Sequence, residues 1–174
     1  MEPTKTFRVR RSLVLPITLL VLLTVVLLIV TIVQGQPTAK SIILGVMILP
    51  LGLLCAEVWI RRIDIGATSI TARKLGRRKT IEFAEVTALE AVTVRRRNYL
   101  SLSTEEDFLI ISNAYLGFSD MLAALLKSVP EQSISEEVQG LVSNPMRRPT
   151  DMISSWIGVL VLLAILYLQF SGKT

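Results

Sequence analysis

The chain contains no histidine and only one cysteine. The missing histidine removes both the commonest general base and the commonest zinc ligand. A single cysteine excludes an intrachain disulfide, and Cys55 lies inside an apolar run with no neighbour in sequence that would stabilise a thiolate. A Gly-rich phosphate loop is also missing: Gly76-Arg77-Arg78-Lys79-Thr80 reads as a hairpin turn and departs from G-x-x-x-x-G-K-[ST]. There is no nucleophile elbow. Glu105, Glu106 and Asp107 are adjacent acids in an expected turn, where solvated carboxylates far outnumber metal sites. No catalytic residue, cofactor or metal ligand is therefore assigned, and the sequence points away from an enzyme.

Charge is nearly missing from three stretches, residues 13–33, 41–59 and 152–170. Each approaches the roughly 20 residues that a helix needs to cross a bilayer core of about 30 Å. Transmembrane helices are expected at 13–33, 41–60 and 151–170. Residues 1–12 hold Lys5, Arg8, Arg10 and Arg11 against Glu2 alone. The first apolar run is too long for a signal-peptide core and no A-x-A-like site follows it, so it is read as an uncleaved anchor. Gln34-Gly35-Gln36-Pro37 reads as a tight turn.

The net charge of +5 is explained mostly by basic residues beside the spans. Arg61-Arg62 follows the second span and Arg147-Arg148 precedes the third, whereas the 34–40 loop holds only Lys40 and the tail only Lys173. The positive-inside rule then puts the basic N-terminus (1–12) and residues 61–149 in the cytoplasm, and the 34–40 loop and 171–174 tail outside. Nucleic acid is an unsuitable partner, because residues 61–149 hold 13 basic and 11 acidic side chains. Gly45, Gly52 and Ala56 share one face of the second span and are candidates for close helix packing. Pro50 should bend that helix. Glu57 is an intramembrane acid four residues before Arg61, a spacing that suits a side-chain pair at the interface.

Residues 61–130 change character. Ile70 and Ala72 alternate with Thr71 and Arg73, Ile81 and Phe83 flank Glu82, Leu100 and Leu102 alternate with Ser101 and Ser103, and residues 108–111 form a short apolar run. Turn signals lie at Gly66-Ala67-Thr68, Gly76-Arg77-Arg78, Arg97-Asn98 and 103–107. Phe118, Met121, Leu122, Leu125, Leu126 and Val129 then follow helical spacing, and Pro130 stops the helix. About six antiparallel strands and one helix are expected, with Phe83, Leu100, Leu102, Ile110, Phe118, Leu122 and Leu125 in one core. Residues 131–150 read as a linker with a short helix, in which Ser133 and Glu136 fit a capping box. Its apolar stripe suits packing on the strands or lying on a lipid surface.

The stretch "IDIGATSITARKLGRRKTIEFAEVTALEAV" and the later "FLIISNAYLGFSDMLAALL" resemble the bacterial PH-like domains, many of which occur in small membrane proteins. The resemblance implies a small antiparallel β-barrel or sandwich closed by one C-terminal helix, acting as a binding or scaffolding module. The expected fold is then three transmembrane helices carrying a cytosolic α+β PH-like module at a bacterial inner membrane.

In eukaryotic relatives of that fold, basic residues of the first hairpins bind phosphoinositide head groups, and Arg73, Lys74, Arg77, Arg78 and Lys79 occupy a comparable hairpin. An up-and-down meander would also bring Arg95, Arg96 and Arg97 to the membrane end and carry the acidic turn 103–107 to the far end. These eight residues are the lipid-facing candidates. The partners expected are anionic head groups, a protein partner or a second copy of the chain. Association through the spans, as an accessory subunit of a larger membrane complex, is the alternative.

Overall fold

The computed structural model describes residues 4–94, 97–143 and 150–171. In chain order its elements are β1 (Lys5–Arg8), α1 (Arg11–Val33), α2 (Thr38–Ile60), β2 (Arg62–Ile65), β3 (Ser69–Lys74), β4 (Arg77–Glu82), β5 (Ala88–Val94), β6 (Arg97–Ser103), β7 (Phe108–Ser112), α3 (Phe118–Ser128), α4 (Glu136–Ser143) and α5 (Thr150–Ser171). They form two compact units. One holds residues 1–10 and 60–148, the other 11–59 and 149–174.

The first unit is built from two antiparallel sheets, ordered β1-β2-β3-β4 and β5-β6-β7. The six strands expected from the alternation within 61–112 are present, and a seventh precedes them. Residues 5–8, expected only as a basic tail, form β1 and pair with β2 as Lys5↔Ile65, Thr6↔Asp64, Phe7↔Ile63 and Arg8↔Arg62. The other side of this segment is also occupied: Leu116 N–H donates to the Arg8 carbonyl at 2.8 Å and Arg10 N–H to the Ala114 carbonyl at 3.1 Å. The end of β1 and the two residues after it are therefore hydrogen-bonded on the side away from β2.

Alternation sends every second side chain inward. Ile63 and Ile65 of β2, Ile70 of β3, Ile81 of β4, Leu89 of β5, Leu100 and Leu102 of β6, and Leu109 and Ile111 of β7 are all buried. Phe118, Met121, Leu122 and Leu125 supply the apolar face of α3. Phe83 is buried as well, but it opens a short 3-10 turn after β4 and does not extend the strand.

Ile110 is a correction. It is 48% exposed, and its neighbours Leu109 and Ile111 point inward instead. The continuous apolar run over 108–111 holds no polar residue to set its phase, and a shift of one residue exchanges the faces.

Residues 131–138 are attached to this unit and are not free linker. Ser135 N–H donates to the Leu89 carbonyl at 3.0 Å, and Val138 is fully buried. The expected capping box is replaced: Ser133 donates its hydroxyl to the Val86 carbonyl at 2.9 Å.

The second unit contains α1, α2 and α5, all long and apolar enough to cross a membrane. Thr24 and Thr31 are buried in α1, and each hydroxyl donates to a carbonyl one turn back, Leu20 at 2.7 Å and Leu27 at 2.8 Å. This satisfies polar groups that would otherwise be costly in an apolar setting. Trp59 of α2 donates its indole N–H to Thr18 of α1 at 3.0 Å.

The close helix approach occurs between α1 and α5. A Cβ on Gly158 would stand 2.9 Å from Leu20 Cδ1, so a larger residue there would make the tip of that leucine side chain shift. Among the described residues nothing lies within 4 Å of a Cβ placed on Gly45 or Gly52, and α2 has no buried residue.

Leu122→Ala should destabilise the first unit by about 2–5 kcal/mol, as truncation of a buried leucine does. Ile110→Ala should change stability by no more than about 0.5 kcal/mol. Amide hydrogen exchange across β6 in the full chain measures both; equal effects would contradict the inward–outward assignment of β7.

Candidate functional site

The register of the four-stranded sheet joins residues far apart in sequence. The cross-strand partners are Arg8↔Arg62, Arg62↔Arg73 and Arg73↔Arg78. Directly opposed residues project from the same side of a sheet. Four arginines therefore stand in one row across all four strands. They alternate with Phe7, Ile63, Ala72 and Ile81, which face the core, so the row lies on the outer face. With strands about 4.8 Å apart, the row is about 14 Å long.

The neighbouring row on that face is Thr6, Asp64, Thr71 and Thr80. Thr6 donates its hydroxyl to Asp64 Oδ1 at 2.8 Å, and the Thr71 and Thr80 hydroxyls are 3.0 Å apart. Asp64 Oδ2 lies 3.4 Å from Arg62 Nε and 3.2 Å from Arg73 Nε. Both Nε atoms are buried and make no hydrogen bond, so these contacts are charge pairing without aligned N–H donors. The Asp64 side chain is 14% exposed, against 35% and 39% for Arg62 and Arg73. The carboxylate thus lies against the buried Nε atoms of the two inner arginines, whose side chains remain partly exposed. The outer two, Arg8 and Arg78, are exposed and form no ion pair among the described residues.

Four cations stand against one adjacent carboxylate. Glu82 is the next acid on this face, four residues from Arg78 along β4 and so about 13 Å away. Like charges directly opposite one another destabilise a sheet by an amount comparable to what opposite charges contribute, roughly 0.2–1 kcal/mol per pair. Asp64 offsets the central pair and leaves Arg8–Arg62 and Arg73–Arg78 uncompensated.

The sequence-expected basic residues separate accordingly. Arg73 and Arg78 belong to the row. The hairpin turn is Leu75-Gly76, with Lys74 paired to Arg77, so these two exposed residues take the opposite parity at the tip. Gly76 has φ +68°, a left-handed conformation that glycine adopts without steric cost. Lys79 shares the parity of the core-facing residues. It donates to Asp107 and to the Phe108 carbonyl, and its ammonium lies 5.1 Å from the Phe108 ring centroid. The expected segregation of basic and acidic turns to opposite ends is therefore not observed for Lys79. Arg95 and Arg96 lie outside the described residues, and Arg97 begins β6. Arg8 and Arg62 are not among the eight basic residues that the sequence singles out. The one signal that could have found Arg8 is the alternation of buried Phe7 and Val9 around it.

Tyr115 holds the end of the sheet that carries the row. It is buried and bridges antiparallel to Val9. Its hydroxyl accepts from Arg61 Nε at 3.0 Å, its carbonyl accepts from Arg10 Nε at 3.2 Å, and the Arg61 guanidinium stands 5.8 Å from the ring centroid. One tyrosine thus ties the chain leaving β1 to the chain entering β2.

The Lys79 hydrogen bond holds the Asp107 carboxyl below the ordinary aspartate range, with the charge of Lys79 adding to it. A lowered carboxyl contributes stability that is present above the ordinary range and is lost as pH falls through its folded-state value. An NMR titration should therefore place the Asp107 midpoint below that of a free aspartate, and Lys79→Met should raise it back. An unchanged midpoint in Lys79→Met would show that the pair does not form in solution.

No known protein family, curated protein or solved structure matches the chain.

Proposed function

We propose that this chain is a non-enzymatic integral protein of a bacterial cytoplasmic membrane. In this reading α1, α2 and α5 are its spans, and the β-rich unit is a PH-like module at the cytoplasmic face that engages the anionic lipid surface or a protein partner there. The N-terminus is cytoplasmic and the C-terminus outside.

One observation carries the reading. β1 immediately precedes α1, β2 immediately follows α2, and the two strands pair residue for residue. Helices of 23 residues are about 34 Å long, enough to cross a bilayer core. Only residues 34–37 connect them, so both outer ends of the helical hairpin return to one sheet. Two antiparallel sheets whose last strand leads into the amphipathic helix α3 support the PH-like assignment. The row of arginines supports an anionic surface as the partner.

The alternative, an accessory subunit that associates through its spans, is favoured by α2. A Cβ on its Gly45 or Gly52 would meet nothing within 4 Å among the described residues.

Cysteines introduced in a Cys55→Ala background test the topology in intact cells. An impermeant thiol reagent should label Gln36→Cys and leave Thr104→Cys unreactive until the membrane is opened. The reverse pattern would overturn the orientation. Labelling of both would overturn the assignment of α1 and α2 as spans.

A further inference from the structure

We propose that the outer face of the four-stranded sheet is a docking site for the phosphate groups of anionic membrane lipids, read by Arg8, Arg62, Arg73 and Arg78. This rests on the reading of α1 and α2 as membrane spans and deepens it by naming the surface and its ligand.

Three observations lead to it. The first is the uncompensated charge. A sheet that sets four arginines opposite one another, with a single carboxylate between the inner pair, is in local electrostatic conflict unless an anion approaches from outside. Such breaches of a local rule are expected where a protein binds something.

The second is the donor geometry. Asp64 lies beside Arg62 and Arg73 and is itself largely covered, so it orients them from their buried Nε side while 35% and 39% of the two side chains stays exposed. Guanidinium presents several N–H donors in a planar fork that matches phosphate oxygens. Arg8 beside Arg62, and Arg78 beside Arg73, make two adjacent pairs, each able to grip one phosphate.

The third is position. Arg62 follows the last residue of α2 by two places, and Arg8 precedes the first residue of α1 by three. Extended chain covers at most about 3.6 Å per residue, so the two backbones lie within about 7 Å and 11 Å of the helix ends. Head groups occupy several ångströms beyond each side of the hydrocarbon core, and the Debye length at physiological salt is about 8 Å. A linear row with its two end arginines exposed and its two inner ones partly exposed suits a plane of phosphates better than it suits one small soluble ligand.

The test uses the full chain purified in mild detergent and equilibrated with mixed micelles of phosphatidylglycerol and phosphatidylcholine. Retained lipids are counted by native mass spectrometry. Phosphatidylglycerol should be retained preferentially. The double variant R8Q/R78Q should lower that preference about tenfold, since each basic residue near an anionic surface contributes a few-fold. R8K/R78K should keep most of it, and K127Q, on α3, should leave it unchanged.

Raising sodium chloride from about 50 to about 500 mM should weaken the preference of the unaltered chain severalfold. This arm decides the matter if the glutamine variant does not fold. Salt-independent retention, or an unaltered preference in folded R8Q/R78Q, would overturn the proposal. Displacement of the lipid by about 10 mM inorganic phosphate would also overturn it, in favour of a soluble phosphate ligand. Correct thiol labelling together with a lost lipid preference would remove the docking site alone. Labelling that shows no crossing would remove the membrane reading beneath it.

Discussion

The pairing of β1 with β2 is the constraint on which the rest of the structure depends. The two strands are separated in sequence by α1 and α2, yet they match over Lys5↔Ile65 to Arg8↔Arg62. The register has no freedom. Slipping it by one residue would turn Phe7 and Val9 out of the core and bury Thr6 and Arg8 in their place. The core therefore selects the register, and the register in turn puts Arg8 opposite Arg62 and Thr6 within reach of Asp64. Tyr115 adds a second lock. Its carbonyl accepts from Arg10 and its hydroxyl from Arg61, one residue on each side of the helical hairpin.

The same register creates the electrostatic tension in the sheet. Arg62 and Arg73 share Asp64, and the hydroxyls of Thr6, Thr71 and Thr80 fill the next row with small polar groups. This arrangement is enough to orient the inner arginines. It is not enough to neutralise the row, because Arg8 and Arg78 add two charges at the solvent-facing ends. Lys79 shows the contrasting case on the neighbouring position of β4. It has a carboxylate, a carbonyl and an aromatic ring for its single ammonium, so its charge is committed within the protein. Adjacent residues of one strand thus differ in availability because they point to opposite faces.

Local periodicity made much of this fold legible. The three apolar helices, the six strands within 61–112 and the face of α3 all announce themselves by runs or alternation. What failed was non-local or unphased. β1 has only Phe7 and Val9 to mark it, and its partner lies beyond two helices. The run over 108–111 had no polar residue to say which side was in. The β3–β4 turn was expected over Gly76-Arg77-Arg78 and lies at Leu75-Gly76. Without the true turn, the parity that separates Arg78 from Lys79 could not be seen. Small residues on α2 carry a packing signal, yet among the described residues the glycine whose Cβ would crowd a neighbouring helix is Gly158 of α5. Composition marks a helix as able to pack without naming its partner. Half of the arginine row was visible as a basic hairpin; the other half came from segments flanking the apolar helices, where basic residues already had an explanation.

The junctions between strands and helices bear on what lipid contact can accomplish. Two residues separate β1 from α1, and one separates α2 from β2. A module joined so closely to spans has no need of lipid affinity for recruitment, since a short tether already gives effective concentrations in the millimolar range. Under the proposed reading, phosphate contact therefore acts on the sheet and not on localisation. It would relieve repulsion at Arg8–Arg62 and Arg73–Arg78, the two pairs that Asp64 leaves uncompensated. The first of these pairs joins β1 to β2, the strands on which the register depends. An anionic surface would then stabilise the pairing that brings both ends of the helical hairpin to one sheet, and its loss would weaken the module first at that edge.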